Sequence, residues 1–375
     1  MKKCIVISDS FKGSLSSLAI CRIAEETVPR FFPEAQVLTF PVADGGEGTV
    51  DCFLRVPGAC EVHLPVTGPE GKTVNARYAR LGERAVIEMA AAAGLPLAEK
   101  KDPSQTTTYG VGELIAHAVE SGCRKILLGL GGSATNDGGC GCAAALGAVF
   151  RDSEGRLFVP VGGTLERVAH IDLSAVAKKL QKVHITLMSD VENPFFGPNG
   201  AAFVFGPQKG ADEAMVRRLD DGLRSLSDVI EKDLGLSVAL TPGAGSAGGL
   251  GGGGIAFLGG EMKSGIESVL DALDFDRFLP GTDLVITGEG RVDSQSLQGK
   301  VISGLLRRTV PLGIPLLVIA GAIDQSAAAA YEKGVTAMFS TDRRALGYPE
   351  VLADCETDYR ATLEDVLRFA RALEK

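Results

Sequence analysis

The amino-acid sequence predicts an α/β protein of two domains, in which one domain is built from both chain ends and a mixed α/β domain is inserted between them. Three observations lead to this prediction. Short apolar runs alternate with helical patterns near both termini, as in a parallel sheet. In the middle of the chain, apolar runs follow one another across short turns, which indicates hairpins. The length of 375 residues fits two domains better than one.

The N-terminal segment predicts the order strand, loop, helix twice in succession. An apolar strand at residues 4–8 is followed by a helix that starts at Ser16 or Ser17, where serine is a good N-cap, and ends near Phe31. A second strand is predicted at residues 37–42 and a second helix around residues 50–54. Such a repeat is how a parallel sheet begins.

The chain changes character after residue 61. Turns at residues 68–71 and 81–83 separate three strand-like runs, so antiparallel pairing is expected. The elements predicted here are strands at residues 62–66, 74–81, 84–89, 126–128, 146–150 and 184–188, and helices at residues 108–121 and 211–234. Residues 243–254 are almost all glycine, alanine and serine, and we expect a compact functional loop there, with a flexible linker as the alternative.

The α/β alternation returns near the C-terminus. Here the predicted strands are residues 284–286, 315–319 and 335–339, and the predicted helices are residues 265–272, 301–309 and 363–373. We therefore assign residues 1–62 and 281–375 to one α/β domain, and residues 63–280 to the inserted domain with a mixed sheet.

Composition excludes several classes of function. The net charge is −9 and no block of Lys and Arg occurs, so a nucleic-acid partner is not expected. No apolar run approaches the ~20 residues that cross a bilayer, and the start of the chain lacks the pattern of a signal peptide. The eight cysteines form no Cys-x-x-Cys pair and are expected as free thiols of a cytoplasmic protein.

One stretch, residues 126–147, has the pattern of an anion-binding loop. An apolar strand runs into six glycines and then into small residues that can start a helix, and such loops hold phosphates with backbone N–H groups. Ser133, Thr135 and Asn136 could bind oxygens there. Asp137 would repel a bare phosphate, so its presence suggests an intervening metal ion. The alternative is an ordinary tight turn of an α/β protein.

Acidic residues follow several predicted strands, next to glycine and serine. They are Asp9, Asp44, Asp137, Asp190 and the pair Glu289 and Asp293. In open parallel sheets the ligand lies outside the carboxyl ends of the strands, so these acids could converge on one cleft between the domains. The alternative for each single acid is a helix N-cap.

Four cations accompany these acids, and they are Lys12, Lys209, Arg291 and Lys300. Phosphoryl transfer relies on positioning, on cations around the transferred group and on a carboxylate near the attacking hydroxyl. We favour Lys12 and Arg291 as functional because each lies within three residues of a strand-end acid, whereas a solvated surface charge is the alternative for any of the four.

Other sites fit less well. The P-loop and protein-kinase motifs are absent. Gly129, Gly131 and Ala134 match a dinucleotide fingerprint, with Asp152 at a suitable distance, but Asp137 would lie near the pyrophosphate. Galactokinase-like small-molecule kinases have a comparable glycine loop, usually with an upstream proline that this chain lacks. A nicotinamide-dependent enzyme and a non-catalytic nucleotide or metabolite sensor stay open as alternatives.

Seven motifs together resemble the bacterial glycerate kinase family, in order and over nearly the whole chain. They are DSFKGS at residues 9–14, PVADGGEGT at 41–49, GLGGSATNDGG at 129–139, SDVENP at 189–194, GPQKGA at 206–211, GAGSAGGLG at 243–251 and TGEGRVD at 287–293. The resemblance implies ATP-dependent phosphorylation of D-glycerate to 2-phosphoglycerate with Mg²⁺. It also implies that the domain built from both chain ends is Rossmann- or flavodoxin-like, with the active site between the two domains.

Site roles follow as hypotheses from this resemblance. We expect Asp190 to act as the base or to orient the hydroxyl, with Asp9 as the alternative. Lys12 and Arg291 would hold the glycerate carboxylate or stabilise the transferred group, with Ser14 also contacting the substrate. The candidates for positioning Mg²⁺ are Asp293, Glu289 and Asp137. The predicted nucleotide-binding residues are Gly129, Gly131, Gly132, Ser133, Thr135, Asn136, Gly245, Gly248 and Gly249.

Overall fold

The computed structural model describes residues 1–11, 13–42, 48–297, 300–343 and 354–373. The chain divides into two compact units. The terminal unit comprises Met1–Asp44 and Ser264–Lys375, and the inserted unit comprises Gly45–Lys263. Both units contain α-helices and β-strands, and the first is made from both chain ends, so the predicted fold class is confirmed.

A parallel sheet forms the centre of the terminal unit. Its described strands are β1 (Lys3–Ser8), β2 (Gln36–Pro41), β12 (Leu284–Thr287), β14 (Leu316–Ala320) and β16 (Ala337–Ser340). They lie in the order β16-β14-β12-β1-β2, and every neighbouring pair is parallel. Counted along this unit, the order is 2-1-3-4-5, which is that of flavodoxin-like folds. The order of the strands therefore reverses between β1 and β12.

Helices lie between these strands along the chain, and a long helix follows the last strand. They are α1 (Ser17–Phe31), α10 (Gly265–Ala272), α11 (Val301–Thr309), α12 (Ala329–Glu332) and α13 (Cys355–Leu373), with a two-residue pair of strands, β13 (Arg291–Val292) and β15 (Ala322–Ile323), beside them. The predicted serine cap of the first helix is present, because Ala19 N donates to Ser16 Oγ at 3.2 Å. Apolar residues of β1, β12, α1 and α13 share one buried core.

The inserted unit is built on a mixed sheet. Its strands are β3 (Cys60–Thr67), β4 (Thr73–Leu81), β5 (Arg84–Glu88), β6 (Lys125–Gly129), β10 (His184–Met188) and β11 (Glu261–Lys263), in the order β11-β10-β6-β5-β4-β3. The first three pair antiparallel, as the hairpin turns predict, and β5, β6, β10 and β11 pair parallel. The carboxyl ends of four strands therefore lie at one edge of this sheet.

Eight described helices and a small second sheet complete the inserted unit. The helices are α2 (Thr49–Leu54), α3 (Ala90–Ala93), α4 (Tyr109–Glu120), α5 (Cys140–Ala145), α6 (Ser174–Leu180), α7 (Ala201–Phe205), α8 (Glu213–Leu234) and α9 (Leu250–Leu258), and the small sheet contains β7 (Val149–Arg151), β8 (Leu157–Phe158) and β9 (His170–Asp172). Among the described residues, no helix is both long and apolar enough to cross a membrane.

The compact units begin and end elsewhere than the sequence-based boundaries at residues 62/63 and 280/281. A boundary at 62/63 would cut β3, which pairs with β4 from Cys60 onward. At the other end, Glu267 of α10 binds Arg307 of α11 at 2.6 Å, and this contact ties residues from 264 onward to the terminal unit. Three elements also differ from their predicted bounds. The strand predicted at 146–150 begins only at Val149, the loop predicted at 243–254 becomes α9 at Leu250, and the helix predicted at 363–373 begins at Cys355.

Candidate functional site

In the terminal unit, the predicted acid Asp9 lies where the strand order reverses. It follows β1 directly, and its backbone N–H donates to the carbonyl oxygen of Gly288, which follows β12, at 3.0 Å. Ser8 Oγ donates to the same carbonyl at 2.9 Å. Ser10 N donates to the Asp9 carboxylate at 2.7 Å. Since ligands of such sheets bind at this reversal, outside the carboxyl ends of the strands, Asp9 is well placed to face a ligand.

Glu289, one residue beyond Gly288, carries a buried carboxylate. Its exposed fraction is 7%, and Lys300 Nζ donates to its Oε2 at 3.4 Å. The other oxygen, Oε1, has no hydrogen-bond partner among the described residues. Burial raises the pKa of this carboxyl, Ser296 and Lys300 oppose the rise, and the nearby Asp293 adds to it. A buried carboxylate with an unused oxygen beside a second acid is a suitable place for a cation.

The other predicted residues of the terminal unit lie in exposed or local arrangements. The side chain of Arg291 is 67% exposed, and its guanidinium binds Asp324 at 3.1 Å. Ser14 Oγ donates to the carbonyl oxygen of Phe11 at 3.0 Å. Lys12 and Asp44, both singled out from the sequence, lie outside the described residues. Of the two favoured cations, Arg291 lies within the described residues and is already paired with an acid.

In the inserted unit, Asp137 is fully buried and bonded by its own chain. Its carboxylate accepts hydrogen bonds from Thr108 N at 2.7 Å and Thr108 Oγ1 at 2.8 Å, and from Gly139 N at 3.1 Å and Gly141 N at 3.2 Å. Burial raises the pKa of this carboxyl, and these hydrogen bonds oppose the rise. The four donors join the loop after β6 to the starts of α4 and α5. This geometry supports a structural role for Asp137, and its metal-binding role stays a prediction.

The three candidate metal ligands are divided between the two compact units. Glu289 and Asp293 belong to the terminal unit and Asp137 to the inserted unit. Within the part of the chain that the structure describes, no three His, Cys, Asp or Glu side chains are gathered as a metal site. Glu289 and Asp293 stay predicted candidates for binding a cation.

A lysine that the sequence analysis did not favour contacts the glycine loop. Lys209, at the end of the 3₁₀ turn Pro207–Lys209, is only 2% exposed. Its ammonium donates to Ser133 Oγ and to the carbonyl oxygen of Thr135, both at 2.7 Å. Burial lowers the pKa of Lys209 to about 7, against the opposing field of Asp137. The motif Gly-Pro-Gln-Lys-Gly was the only signal in the sequence for this residue.

The glycine loop itself has an exposed part and a buried part. Gly131 and Gly132 are exposed, whereas the next residues are buried. Among the described residues, Thr135 Oγ1 and both amide atoms of Asn136 are buried and make no hydrogen bond. Buried polar atoms without partners are uncommon in folded proteins and often mark sites that bind water, ions or ligands. The exposed glycines are the part of the loop that a ligand can reach.

A second glycine-rich loop, at residues 243–249, packs against this one. Gly138 N donates to the carbonyl oxygen of Gly248 at 3.1 Å. Gly248 has a φ of +64°, and a Cβ there would overlap the carbonyl oxygen of Thr135. The predicted nucleotide-binding residues Gly245, Gly248 and Gly249 are all buried. Their closest neighbours are atoms of this chain. These three glycines therefore pack against neighbouring segments and expose little surface to a ligand.

Asp190 follows β10 at the edge of the mixed sheet where the parallel strands end. The preceding residue, Ser189, shares a hydrogen bond with Ser246 between their hydroxyl oxygens at 2.7 Å. The last residues of β10 and β6, Met188 and Gly129, are direct partners in the sheet. The predicted base and the glycine loop therefore leave adjacent strands, and Asp190 is partly exposed.

A strand-end acid outside the predicted site residues holds the start of α2. Glu88, the last residue of β5, accepts a hydrogen bond from Val50 N at 2.8 Å. Burial raises the pKa of its carboxyl. It is an N-terminal helix contact of the kind that the sequence analysis gave as the alternative for each acid.

The position of Asp152 does not support the alternative of a dinucleotide site. Asp152, expected to bind a ribose, lies in the turn between β7 and β8. Its carboxylate binds Arg156 Nε at 2.8 Å and accepts a hydrogen bond from Glu154 N at 3.0 Å. It belongs to the small sheet and not to a strand next to β6.

Comparisons with known proteins agree with one another. Residues 4–371 match the model of the glycerate kinase family. A glycerate kinase from Bacillus cereus is 41% identical over 97% of each chain. A glycerate 2-kinase from Escherichia coli is 46% identical over 90% of each chain. A crystal structure described as glycerate kinase 2 from Salmonella typhimurium LT2 matches with a TM-score of 0.87 and 41% identity, covering 100% of this chain and 99% of that one.

Proposed function

The chain belongs to the glycerate kinase family, and we propose that it transfers the γ-phosphoryl group of ATP to the C2 hydroxyl of D-glycerate. The products are 2-phosphoglycerate and ADP. The observation that carries the proposal is that a partly exposed strand-end carboxylate, Asp190, and the glycine loop with its buried Lys209 occupy one edge of the mixed sheet. The relative named glycerate 2-kinase supports the position of the phosphate.

The glycine loop supplies groups that suit the phosphates of ATP. Backbone N–H groups of exposed glycines can approach phosphate oxygens closely. We propose this role for Gly131 and Gly132, with the hydroxyl of Ser133 next to them. Such contacts position the phosphates and stabilise their charge, which is the main contribution a protein makes to phosphoryl transfer.

Asp190 is the proposed base. As the new bond forms between the C2 oxygen of glycerate and the γ-phosphorus, the bond from this phosphorus to ADP breaks, and the hydroxyl proton passes to the carboxylate. A carboxylate in this position also orients the hydroxyl for attack. Asp9, at the strand reversal of the terminal unit, stays the alternative.

The carboxylate of glycerate needs a cation. Arg291 is the proposed partner among the described residues, because a guanidinium binds a carboxylate through two parallel hydrogen bonds. Its present partner is Asp324, so the substrate would exchange with this acid. Lys12 and Ser14 are proposed as further contacts to glycerate, from the sequence motif that they share.

Mg²⁺ fits the acids after β12. Glu289 has an oxygen without a hydrogen-bond partner among the described residues, and Asp293 is near it. Mg²⁺ prefers oxygen ligands and usually takes one or two carboxylates together with phosphates and water. When bound, it would neutralise charge on the phosphate oxygens during transfer. That the reaction takes place between the two domains stays a prediction from the sequence.

The test is ADP release from Mg-ATP with D-glycerate, with L-glycerate and without an acceptor, followed by phosphorus NMR of the product. We expect release with D-glycerate and a product phosphorylated at C2. Release without any acceptor would indicate only an ATPase. No release with either glycerate would refute the proposed reaction, and a phosphate at C3 would refute the proposed position.

A further inference from the structure

The contact between Lys209 and Ser133 affects how the serine hydroxyl can bind a ligand, in addition to supporting the loop. Lys209 is almost completely buried, and both of its described hydrogen bonds, at 2.7 Å each, go to the glycine loop. The two partners lie 76 residues apart in the chain. A buried ammonium is costly to retain unless its charge has a use. Among the described residues, the Lys209 ammonium forms hydrogen bonds with Ser133 and Thr135 alone, so any function of its charge is expected there.

The hydrogen bond determines what the serine hydroxyl can do. A hydroxyl has one proton to donate and two lone pairs to accept with. In its protonated form Lys209 has no lone pair and can only donate to Ser133 Oγ, so the serine proton must point to another acceptor. Among the described residues, Ser133 Oγ accepts the bond from Lys209 and donates no hydrogen bond of its own. Ser133 is 9% exposed and follows the exposed Gly131 and Gly132, so an incoming ligand can supply that acceptor.

We propose that Lys209 is a positioning residue that makes Ser133 a hydrogen-bond donor to a phosphate oxygen of the nucleotide. The inference rests on the proposed function. A phosphate oxygen next to the hydroxyl favours the protonated form of Lys209. The charge of this ammonium then strengthens the bond, because hydrogen bonds in series polarise one another and charged donors bind more strongly. The contact of Lys209 with the Thr135 carbonyl oxygen keeps the ammonium in line with the serine.

The test is a double-mutant cycle on nucleotide binding, with Ser133→Ala, Lys209→Met and the double variant. The dissociation constant of Mg-ADP is measured by calorimetry, and the KM values for ATP and glycerate are measured in the kinase assay. Each single variant should weaken Mg-ADP binding and raise the KM for ATP about ten-fold, as expected for one charge-assisted hydrogen bond. The KM for glycerate should stay unchanged. The double variant should be no more than about three-fold worse than either single variant, because both remove the same bond.

Controls separate this role from simple support of the fold. Lys232→Met removes an exposed lysine that also donates to a backbone carbonyl, that of Ala169 at 3.3 Å, and it should leave binding unchanged. Ser133→Ala keeps the bond from Lys209 to Thr135, so the loop should stay folded. A wild-type dissociation constant in Ser133→Ala would overturn the inference, as would losses that multiply to about a hundred-fold in the double variant.

Failure of the inference and failure of the proposed function can be told apart. Wild-type protein that binds Mg-ADP but does not phosphorylate glycerate would refute the reaction, and the cycle would still be measured on binding. Wild-type protein that does not bind Mg-ADP at all would refute both the use of ATP and the role of Lys209.

Discussion

Replacing Lys209 with methionine should change how the stability of the protein depends on pH. The pKa of this lysine is about 7 in the folded protein, against an ordinary value of 10.5. Between these two values the unfolded chain binds the proton and the folded chain does not. The free energy of unfolding of the wild type therefore rises as the pH increases from 7 towards 10.5. Below pH 7 both states are protonated, and the cost of the buried charge is fully present.

The magnitude follows from the difference between the two pKa values. They differ by about 3.5, and each pH unit corresponds to about 1.4 kcal/mol, so the whole range is worth roughly 5 kcal/mol. Methionine has no such titration. Relative to Lys209→Met, the wild type should thus gain about 1.4 kcal/mol of unfolding free energy per pH unit between pH 7.5 and 10.

Urea unfolding of both proteins, followed by circular dichroism without nucleotide at several pH values, measures this difference. Comparing the two proteins at each pH cancels the other groups that titrate in this range. Lys232→Met, in which an exposed lysine is lost, should run parallel to the wild type. A difference between wild type and Lys209→Met that stays constant from pH 7.5 to 10 would refute the reasoning, because the lysine would then titrate alike in both states.

Three further predictions concern single residues. Asp190→Asn should lower kcat by about a hundred-fold or more while the fold survives. The control Asp221→Asn, on the exposed side of α8, should keep the wild-type kcat. An active Asp190→Asn enzyme would exclude Asp190 as the base. Arg291→Ala should raise the KM for glycerate about ten-fold, and unchanged kinetics would make it a surface residue. Gly248→Ala should lower the free energy of unfolding by roughly 3 kcal/mol, because the new Cβ would overlap the Thr135 carbonyl oxygen and strain the backbone. Gly235→Ala, at a position with a similar φ but open space, should cost about 1 kcal/mol. Equal melting temperatures of the two variants would contradict the packing argument.

The elements were predictable where local pattern decides them. The strand before Asp9, the serine cap of α1 and the long amphipathic α8 follow from runs and periods within a few residues. The start of α9 inside the glycine-rich segment did not follow, because glycine is a poor helix former. That helix forms because its glycines pack tightly, as with Gly252 against Phe195 and Gly254 against Leu187, and such tertiary contacts have no local signal.

The candidate site was predictable in its motifs and less so in its roles. The sequence indicated the loop after β6 and the strand-end acids, and both lie at carboxyl ends of parallel strands. It did not distinguish Asp137, whose carboxylate is used by four donors of its own chain, from Glu289, which keeps an oxygen without a partner among the described residues. An acid beside glycines looks the same in the sequence whether it binds the backbone or a ligand.

The sequence by itself determined the fold class and the family, because alternating apolar runs, hairpin turns and seven motifs in order are properties of the chain read along its length. Only the tertiary structure decided which polar groups meet. Lys209 and Ser133 are 76 residues apart and Gly248 packs on Thr135 across more than a hundred. Burial and hydrogen bonding, which set the pKa of Lys209 and the donor role inferred for Ser133, arise only when distant segments fold onto one another.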